Sequence, residues 1–146
     1  MEVTLNYHAA ELALMGIDLR KLVNEQGKKL VISEWGVGGG TPDGKKVAPD
    51  LNYVASNPFF GLWYPYSPEK DPWTNPQYSD YRRKVYRATS DWLKKRGSPG
   101  IRVDGLYTWN AGTHDALGVN PTSGGSWIDP QIQSLVRSHN AYVNSN

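Results

Sequence analysis

The chain has 146 residues, which is long enough for one globular domain with its own core, and no shift in composition divides residues 1–146. A net charge of +2 with 21% charged residues favours neither a nucleic-acid nor a membrane partner. Cysteine is absent, which excludes disulfides, thiolate metal sites and cysteine nucleophiles. No apolar run approaches the ~20 residues that a membrane-spanning helix needs.

Aromatic side chains with polar tips are abundant. Six Trp and nine Tyr stand against two Phe. Such rings are typical of sugar-binding sites, because a pyranose presents an apolar C–H face with hydroxyl groups at its edge. The same rings are also common at hydrated protein interfaces, so the composition alone does not separate the two uses.

The first part of the sequence predicts helical structure over residues 9–26, in two pieces that break near Gly16. Asp18 is the expected N-cap of the second piece, and Gly27 is its expected stop. Residues 3–6 fit the end of an earlier strand.

A buried strand follows at residues 30–36, where Leu, Val and Ile stand together. An uninterrupted apolar run of this kind is typical of a parallel strand that is covered on both faces. Residues 36–76 are rich in Gly, Pro and aromatics, which predicts a long functional loop rather than a disordered one.

The second half predicts a helix that Asn75 caps, a strand at residues 103–109 and a last helix that opens at Asp129. Strands that alternate with helices predict an α/β fold with a parallel sheet.

Glu34 is the strongest candidate for chemistry. It lies at the carboxyl end of the predicted strand, and ligands of parallel α/β sheets bind at that end. A carboxylate at this place needs hydrogen-bonding or charged partners, or a function, because removing its charge from water costs free energy. The alternative is a structural Glu that accepts hydrogen bonds from loop amides or pairs with an arginine.

Residues 29–36 (KLVISEWG) resemble the seventh strand of the clan A glycoside hydrolases, which are (β/α)8 barrels. Residues 103–109 (VDGLYTW) are similar to the eighth strand of that clan. Residues 115–140 resemble the following stretch, in which a D-x-L-G element leads to the final helix. The resemblance implies a partial TIM barrel, with parallel strands and the last two to three strand–helix units. It implies that Glu34 is the catalytic nucleophile.

The activity implied by this resemblance is retaining hydrolysis of a β-linked polysaccharide, without a cofactor or a metal ion. It needs a second carboxylate as acid/base, about 5–5.5 Å from the nucleophile. In the clan this is a Glu after an Asn on the fourth strand. The pair Asn24-Glu25 has the same two residue types, but it lies at the end of a predicted helix. We therefore expect the acid/base to be missing from this chain. The isolated chain is then expected to be inactive, with the N-terminal part of the barrel as its partner.

Other residues are candidates for substrate binding. Trp109 is the expected floor of the sugar subsite, by resemblance to the Trp that ends the eighth strand. Trp35 could line the site or pack beneath it, and His8 follows the strand expected at residues 3–6. His114 and Asp115 are placed to bind sugar hydroxyls or to brace a loop. None of these residues has metal-ligand spacing.

Two alternatives remain open from the sequence. One is a non-catalytic carbohydrate-binding module built on surface Trp and Tyr. The other is an adaptor that binds nucleic acid through the basic residues 82–96, although these are more simply the solvated face of an outer helix. The beginning of the sequence has no pattern of a signal peptide, and the resemblance alone implies an extracellular location for the full-length protein.

Overall fold

The computed structural model describes residues 2–58, 60–61, 71–95, 97–98, 100–108, 119 and 128–145. Over these residues the fold is mixed α/β, with helices packed against a small parallel sheet of two strands. Among them there is no helix with both the length and the apolar character required to span a membrane.

The chain begins with helix α1 (Glu2–Leu14), so the prediction that residues 3–6 end a strand is wrong. Leu5 and Ala9 are buried one helical turn apart, which is the spacing of a helix face rather than of a strand. Gly16 then breaks the helix with a φ of 77°.

A helical segment follows, in which Asp18 accepts a hydrogen bond from the backbone N–H of Lys21 at 3.0 Å. This segment closes with a π-helical turn, Lys21–Glu25, and Gly27 ends it with a φ of 65°. The predicted cap and the predicted stop are both confirmed.

The sheet consists of β1 (Val31–Trp35) and β4 (Gly105–Thr108), which pair in parallel. Both strands fall within the predicted segments, and their adjacency and direction agree with the prediction. The expectation that the first strand is buried on both faces is wrong, because Val31 is 45% exposed and Glu34 is also exposed. Helices cover only one face of this sheet in the described part of the chain.

The segment after β1 was predicted as a loop, but it contains helix α2 (Leu51–Ser56) and a short 3-10 turn, Pro72–Thr74. Asp50 caps α2 by accepting a hydrogen bond from the N–H of Tyr53 at 2.8 Å. The segment is fixed to the following helix by the Tyr78 hydroxyl, which donates to the carbonyl of Ala48.

The glycines of this segment allow two stretches of backbone to approach closely. The N–H of Gly40 donates to the carbonyl of Phe60 at 2.8 Å, and that of Gly38 donates to the carbonyl of Pro58 at 2.6 Å. A Cβ on Gly40 would lie 2.0 Å from the carbonyl oxygen of Gly61. The glycine run therefore serves backbone packing.

Helix α3 (Pro76–Lys94) carries the main packing surface, and α4 (Pro130–Ser145) lies against it. Asn75 caps α3 as predicted, through a hydrogen bond from the N–H of Gln77. The core between these helices and the long segment consists of buried residues from four parts of the chain: Val37, Ala48, Val54, Tyr78, Tyr86, Val119 and Ile132.

Arg82 corrects the interpretation of residues 82–96 as a solvated basic face. Its side chain is only 1% exposed, and its guanidinium lies 4.2 Å from the centre of the Trp73 ring. It forms an ion pair with Asp129 at 3.6 Å, and Arg83 binds the same carboxylate at 3.0 Å. Asp129 also accepts a hydrogen bond from the N–H of Ile132, so one carboxylate caps α4 and joins it to α3.

A second core lies at the amino end of the sheet, where α1 packs. It contains Leu5, Ala9, Ile101 and Val103, with Leu30 and Ile32 beside them. A short antiparallel hairpin of β2 (Gly97–Ser98) and β3 (Ile101–Arg102) leads from α3 into β4.

Candidate functional site

Glu34 lies near the carboxyl end of β1 and is exposed. The register between β1 and β4 explains why the Glu34 side chain is exposed. Ile32 pairs with Leu106 and Trp35 pairs with Thr108, so three steps along β1 match two steps along β4. β1 therefore carries a bulge of one extra residue, and Ser33 and Glu34 together lie opposite Tyr107.

The two faces of the sheet are distinguished by their contacts. Ile32 packs in the cluster that contains Trp92 and Leu93 of α3. Trp35 meets Tyr86 of the same helix edge-to-face, with ring centres 4.7 Å apart. Both side chains therefore occupy the face that the helices cover, which the bulge makes possible for residues three positions apart.

The other face, which we call the open face, carries Val31, Gly105 and Tyr107. A Cβ on Gly105 would lie 3.7 Å from both γ-carbons of Val31, so these two residues share a face. Tyr107 is two positions along the strand from Gly105 and has the same orientation. It is 65% exposed. Exposed Glu34 lies on the neighbouring strand, roughly 5 Å away at the backbone.

This arrangement can present a carboxylate, an aromatic ring and an apolar floor to one ligand. Val31 and Gly105 form the floor, Tyr107 supplies the ring and Glu34 supplies the charge. An aromatic ring can stack on the C–H face of a sugar, and a carboxylate can approach the reactive carbon of that sugar.

Sequence reasoning missed Tyr107 as a member of this surface. The signal was present, because side chains of a strand alternate between its faces and Tyr107 follows Leu106. Which of the two faces stays uncovered could be read only from the packing of α3.

The structure places Trp35 on the helix-covered face, where its ring packs half-buried on Tyr86. Trp35 was expected either to line the site or to pack beneath it, and this contact corresponds to the second role. Trp35 and Glu34 are neighbours in sequence but belong to opposite faces of the sheet.

His8 belongs to α1 and is not at the end of a strand, so the basis for placing it in the site is removed. Its ring Nδ1 lies 3.1 Å from a carboxylate oxygen of Glu11, and its side chain is 61% exposed. α1 packs beside Leu30 and Ile101, at the amino end of the sheet, whereas Glu34 lies toward the carboxyl end.

Three predicted site residues, Trp109, His114 and Asp115, lie outside the described residues. In the part of the chain that is described, no group of three or more His, Cys, Asp or Glu side chains could hold a metal ion. Of the aromatic-rich residues 59–66 in the segment predicted as a loop, the structure describes only Phe60 and Gly61, while Trp73 packs on Arg82.

The Asn24-Glu25 pair lies in the helical turn that precedes β1, as its sequence context predicted. The side-chain amide of Asn24 donates to the carbonyl of Gly100 at 2.6 Å, which joins this turn to the hairpin before β4. The pair therefore lies before the amino end of β1, and Glu34 lies at the other end of that strand.

Asp104 fixes the start of the parallel pair. Its N–H donates to the carbonyl of Leu30 at 2.8 Å, and its carboxylate accepts the N–H of Leu30 at 3.1 Å. Partial burial raises the pKa of Asp104, but hydrogen bonds from Arg102 and Leu30 outweigh it and hold that pKa below the ordinary value. These bonds align the two strands that carry Glu34 and Tyr107.

Comparison of the chain with protein-family models, with curated proteins and with solved structures finds no match. The function proposed for this chain therefore rests on its own residues and their geometry.

Proposed function

We propose that this chain supplies the nucleophile, Glu34, of a retaining glycoside hydrolase that acts on a β-linked polysaccharide. The observation that carries the proposal is the exposed Glu34 carboxylate near the carboxyl end of a parallel strand, on the face that no helix of the described residues covers. Tyr107, beside it on the neighbouring strand, is placed to stack on the sugar. The resemblance of residues 29–36 and 103–109 to the last two strands of a clan A barrel supports the same assignment.

In this proposal a carboxylate oxygen of Glu34 attacks the anomeric carbon and forms a glycosyl ester. The bond to the leaving oxygen breaks, and that oxygen takes a proton from the acid/base carboxyl group. The same group then removes a proton from water, which attacks the anomeric carbon and releases Glu34. The configuration at that carbon is retained, since it is inverted twice.

The acid/base is proposed to come from polypeptide outside this sequence, as part of the same barrel. Glu25 is a poor candidate, because its turn precedes the strand that carries Glu34. The two carboxyl groups of a retaining enzyme must lie about 5–5.5 Å apart, across the same sugar.

A reagent with an activated leaving group tests the nucleophile without needing the acid/base. A dinitrophenyl 2-deoxy-2-fluoro-β-glycoside loses a leaving group that requires no protonation, and the fluorine slows breakdown of the glycosyl ester. We expect the chain to gain the mass of one fluoroglycosyl group, and Glu34→Gln to prevent that gain. Glu25→Gln is the matched control, since Glu25 is also an exposed Glu.

Equal labelling of the Glu34→Gln variant, or no labelling with any of a set of gluco-, manno- and xylo-configured reagents, contradicts the proposal. Circular dichroism of each variant checks that the fold is unchanged, which separates lost reactivity from lost structure.

A carbohydrate-binding module is the second candidate, and the 65% exposure of Tyr107 is the observation that favours it. Under this alternative, binding of a β-glucan oligosaccharide measured by calorimetry survives Glu34→Ala and is lost with Tyr107→Ala. Under the hydrolase proposal both residues contact the sugar, so both substitutions weaken binding.

A further inference from the structure

The bulge in β1 determines which face of the sheet carries Glu34. In a regular strand, residues two positions apart share a face, so Glu34 would lie on the helix-covered face together with Ile32. The extra residue of the bulge changes this relation. Ser33 and Glu34 are both exposed, whereas Ile32 and Trp35 on either side of them are half-buried. The exposure of Glu34 therefore depends on the contacts that keep the bulge between Ile32 and Trp35.

Hydrogen bonds fix the amino end of β1 against β4. The N–H of Asp104 donates to the carbonyl of Leu30 at 2.8 Å, and the N–H of Leu30 donates to the carboxylate of Asp104 at 3.1 Å. Ile32 then pairs with Leu106. Because this end of β1 cannot slide along β4 without breaking these bonds, the extra residue has to be accommodated further along the strand.

The carboxyl end of β1 is held by the Trp35 side chain. Its ring meets the Tyr86 ring edge-to-face, with centres 4.7 Å apart and planes 72° apart. Tyr86 is 5% exposed and lies one helical turn after Arg82, whose ion pair with Asp129 joins α3 to α4. In a regular strand Trp35 would lie on the face opposite to Ile32 and would lose this contact. The contact with Tyr86 therefore favours the bulged strand.

We propose that Tyr86 is a positioning residue for Glu34. By holding Trp35 on the helix-covered face, Tyr86 stabilises the bulge, and the bulge turns the Glu34 carboxylate to the open face. The effect on catalysis rests on the proposed function, in which Glu34 is the nucleophile, whereas the effect on the position of residue 34 does not. A nucleophile has to be held close to its line of attack, because small displacements slow the reaction. Tyr86 acts through Trp35, since it packs on the side of the sheet away from the open face.

Single cysteines can report the face of a side chain, because the chain contains no cysteine of its own. Glu34→Cys reports the position of the proposed nucleophile. Ser33→Cys is the matched reporter, since residue 33 lies on the open face in both the bulged and the regular strand. A thiol is largely uncharged at pH 7, so no charge at position 34 opposes burial in the reporter. The readout is the rate of reaction with a water-soluble maleimide at pH 7.

We expect Tyr86→Leu to lower the reaction rate of the Glu34→Cys reporter about threefold to tenfold, which is the change in an equilibrium that loss of one aromatic pair produces. The Ser33→Cys reporter should react at an unchanged rate. Tyr86→Phe keeps the ring and should leave the rate of the Glu34→Cys reporter as it is without that change.

Tyr78→Leu is the matched control for a loosened core. Tyr78 is also a tyrosine of α3, is also 5% exposed and belongs to the same core as Tyr86. Its hydroxyl donates to the carbonyl of Ala48, in the segment after β1. We expect Tyr78→Leu to leave the rate of the Glu34→Cys reporter unchanged. If circular dichroism shows that Tyr86→Leu does not fold, Trp35→Leu removes the same ring contact from the strand and should lower that rate within the same range.

The fluoroglycoside gives the catalytic readout in chains that keep Glu34. Tyr86→Leu should lower the labelling rate at saturating reagent by about threefold to tenfold. The reagent concentration that gives half the maximal rate should change little, because Tyr86 does not contact the sugar. Tyr86→Phe should be labelled at the rate of the unchanged chain. If the unchanged chain is not labelled, the proposed function fails, and the cysteine reporters still decide whether Tyr86 positions residue 34.

The inference is overturned if the Glu34→Cys reporter reacts equally fast with and without Tyr86→Leu. It is also overturned if Tyr78→Leu lowers the rate as much as Tyr86→Leu, because both changes would then report a loosened core. An equal loss in Tyr86→Phe would show that the ring contact is not the cause. Labelling of Glu34 that is as fast in Tyr86→Leu as in the unchanged chain would remove the catalytic role while leaving the nucleophile assigned.

Discussion

The two faces of the β1–β4 sheet differ in what they contact. On the helix-covered face, Trp35 meets Tyr86 and the layer behind it is joined by the Arg82–Asp129 ion pair. On the open face, Val31 and Tyr107 are left largely exposed around Glu34. One short strand therefore contributes to stability through one face and to the proposed chemistry through the other.

The largest effect is expected from Asp129→Ala. This change removes the ion-pair partner of Arg82, which is 1% exposed, leaves Asp71 as a second buried acid that acts on it, and removes the cap of α4. We expect a loss of about 3–5 kcal/mol in the free energy of unfolding, measured by urea denaturation. Asp80→Ala is the control, because Asp80 forms an exposed pair with Lys84 and should cost no more than about 0.5 kcal/mol. Similar costs for the two changes would contradict the role assigned to Asp129.

Two glycine substitutions sharpen the comparison. Gly40→Ala places a Cβ 2.0 Å from the backbone carbonyl oxygen of Gly61, and moving that backbone costs more free energy than moving a flexible side chain. We expect a cost of about 3 kcal/mol, at the upper end for overpacking. In Gly105→Ala the new Cβ meets Val31 at 3.7 Å, which is ordinary contact, so the change should stay within about 0.5 kcal/mol. Thermal unfolding of both variants checks this, and a large cost for Gly105→Ala would mean that the open face is tightly packed.

Two valines allow a comparison with the same chemical change. Val37 is 1% exposed in the main core, whereas Val31 is 45% exposed on the open face. Val37→Ala should cost about 2 kcal/mol through lost burial and a new cavity. Val31→Ala should cost less than about 0.5 kcal/mol. If urea denaturation shows the same loss in unfolding free energy for both variants, Val31 is buried in solution and the surface that we call the open face is covered.

The smallest effect concerns His139, between α3 and α4. Burial, helped by the charge of Lys94, lowers the pKa of His139 below its ordinary value. The unfolded chain therefore binds this proton more readily. The neutral His139 ring therefore contributes its full share to the free energy of unfolding above about pH 6.5. This contribution is lost as the pH falls through the lowered pKa of the folded state.

Solvent screens this partly exposed ring, so the expected change in unfolding free energy between pH 7.5 and 5.5 is roughly a few tenths of a kcal/mol. An NMR titration of the ring Cε1–H measures the pKa directly. Lys94→Met should raise that pKa toward the ordinary value, and no movement would show that Lys94 does not act on His139.

Much of the fold was predictable because its signals are local. Asn75 before Pro76 marks the start of α3, Asp129 marks the start of α4, and Gly27 marks a stop, since each property resides in one residue and its neighbours. The apolar strand at residues 31–35 was recognisable for the same reason. The parallel pairing of β1 with β4 followed from the alternation of strands and helices. The complete barrel stays a prediction.

The predictions were wrong where contacts between residues that are distant in sequence determine the structure. Residues 3–6 alternate polar and apolar like a strand, yet burial of Leu5 and Ala9 against Ile101 makes them helical. Arg82 belongs to a basic run, but the Trp73 ring and Asp129 enclose it. Neither contact is visible in local sequence.

The site was predictable only in part. Glu34 could be found from its place at a strand end, whereas the position of Ile32 and Trp35 on the same face depends on the bulge in β1. Nothing in the pattern of residues 31–35 distinguishes a regular strand from a bulged one, so the face of each side chain could not be assigned from the sequence.

The central claim is that Glu34 is the nucleophile, and the position of a trapped sugar tests it most directly. After reaction with the fluoroglycoside, trypsin separates Glu34, in the peptide of residues 30–45, from Glu25, in the peptide of residues 22–28. Fragmentation in the mass spectrometer then locates the adduct. We predict a single fluoroglycosyl ester on Glu34. An adduct on Asp43 or Glu25, or one spread over several carboxylates, would contradict the assignment.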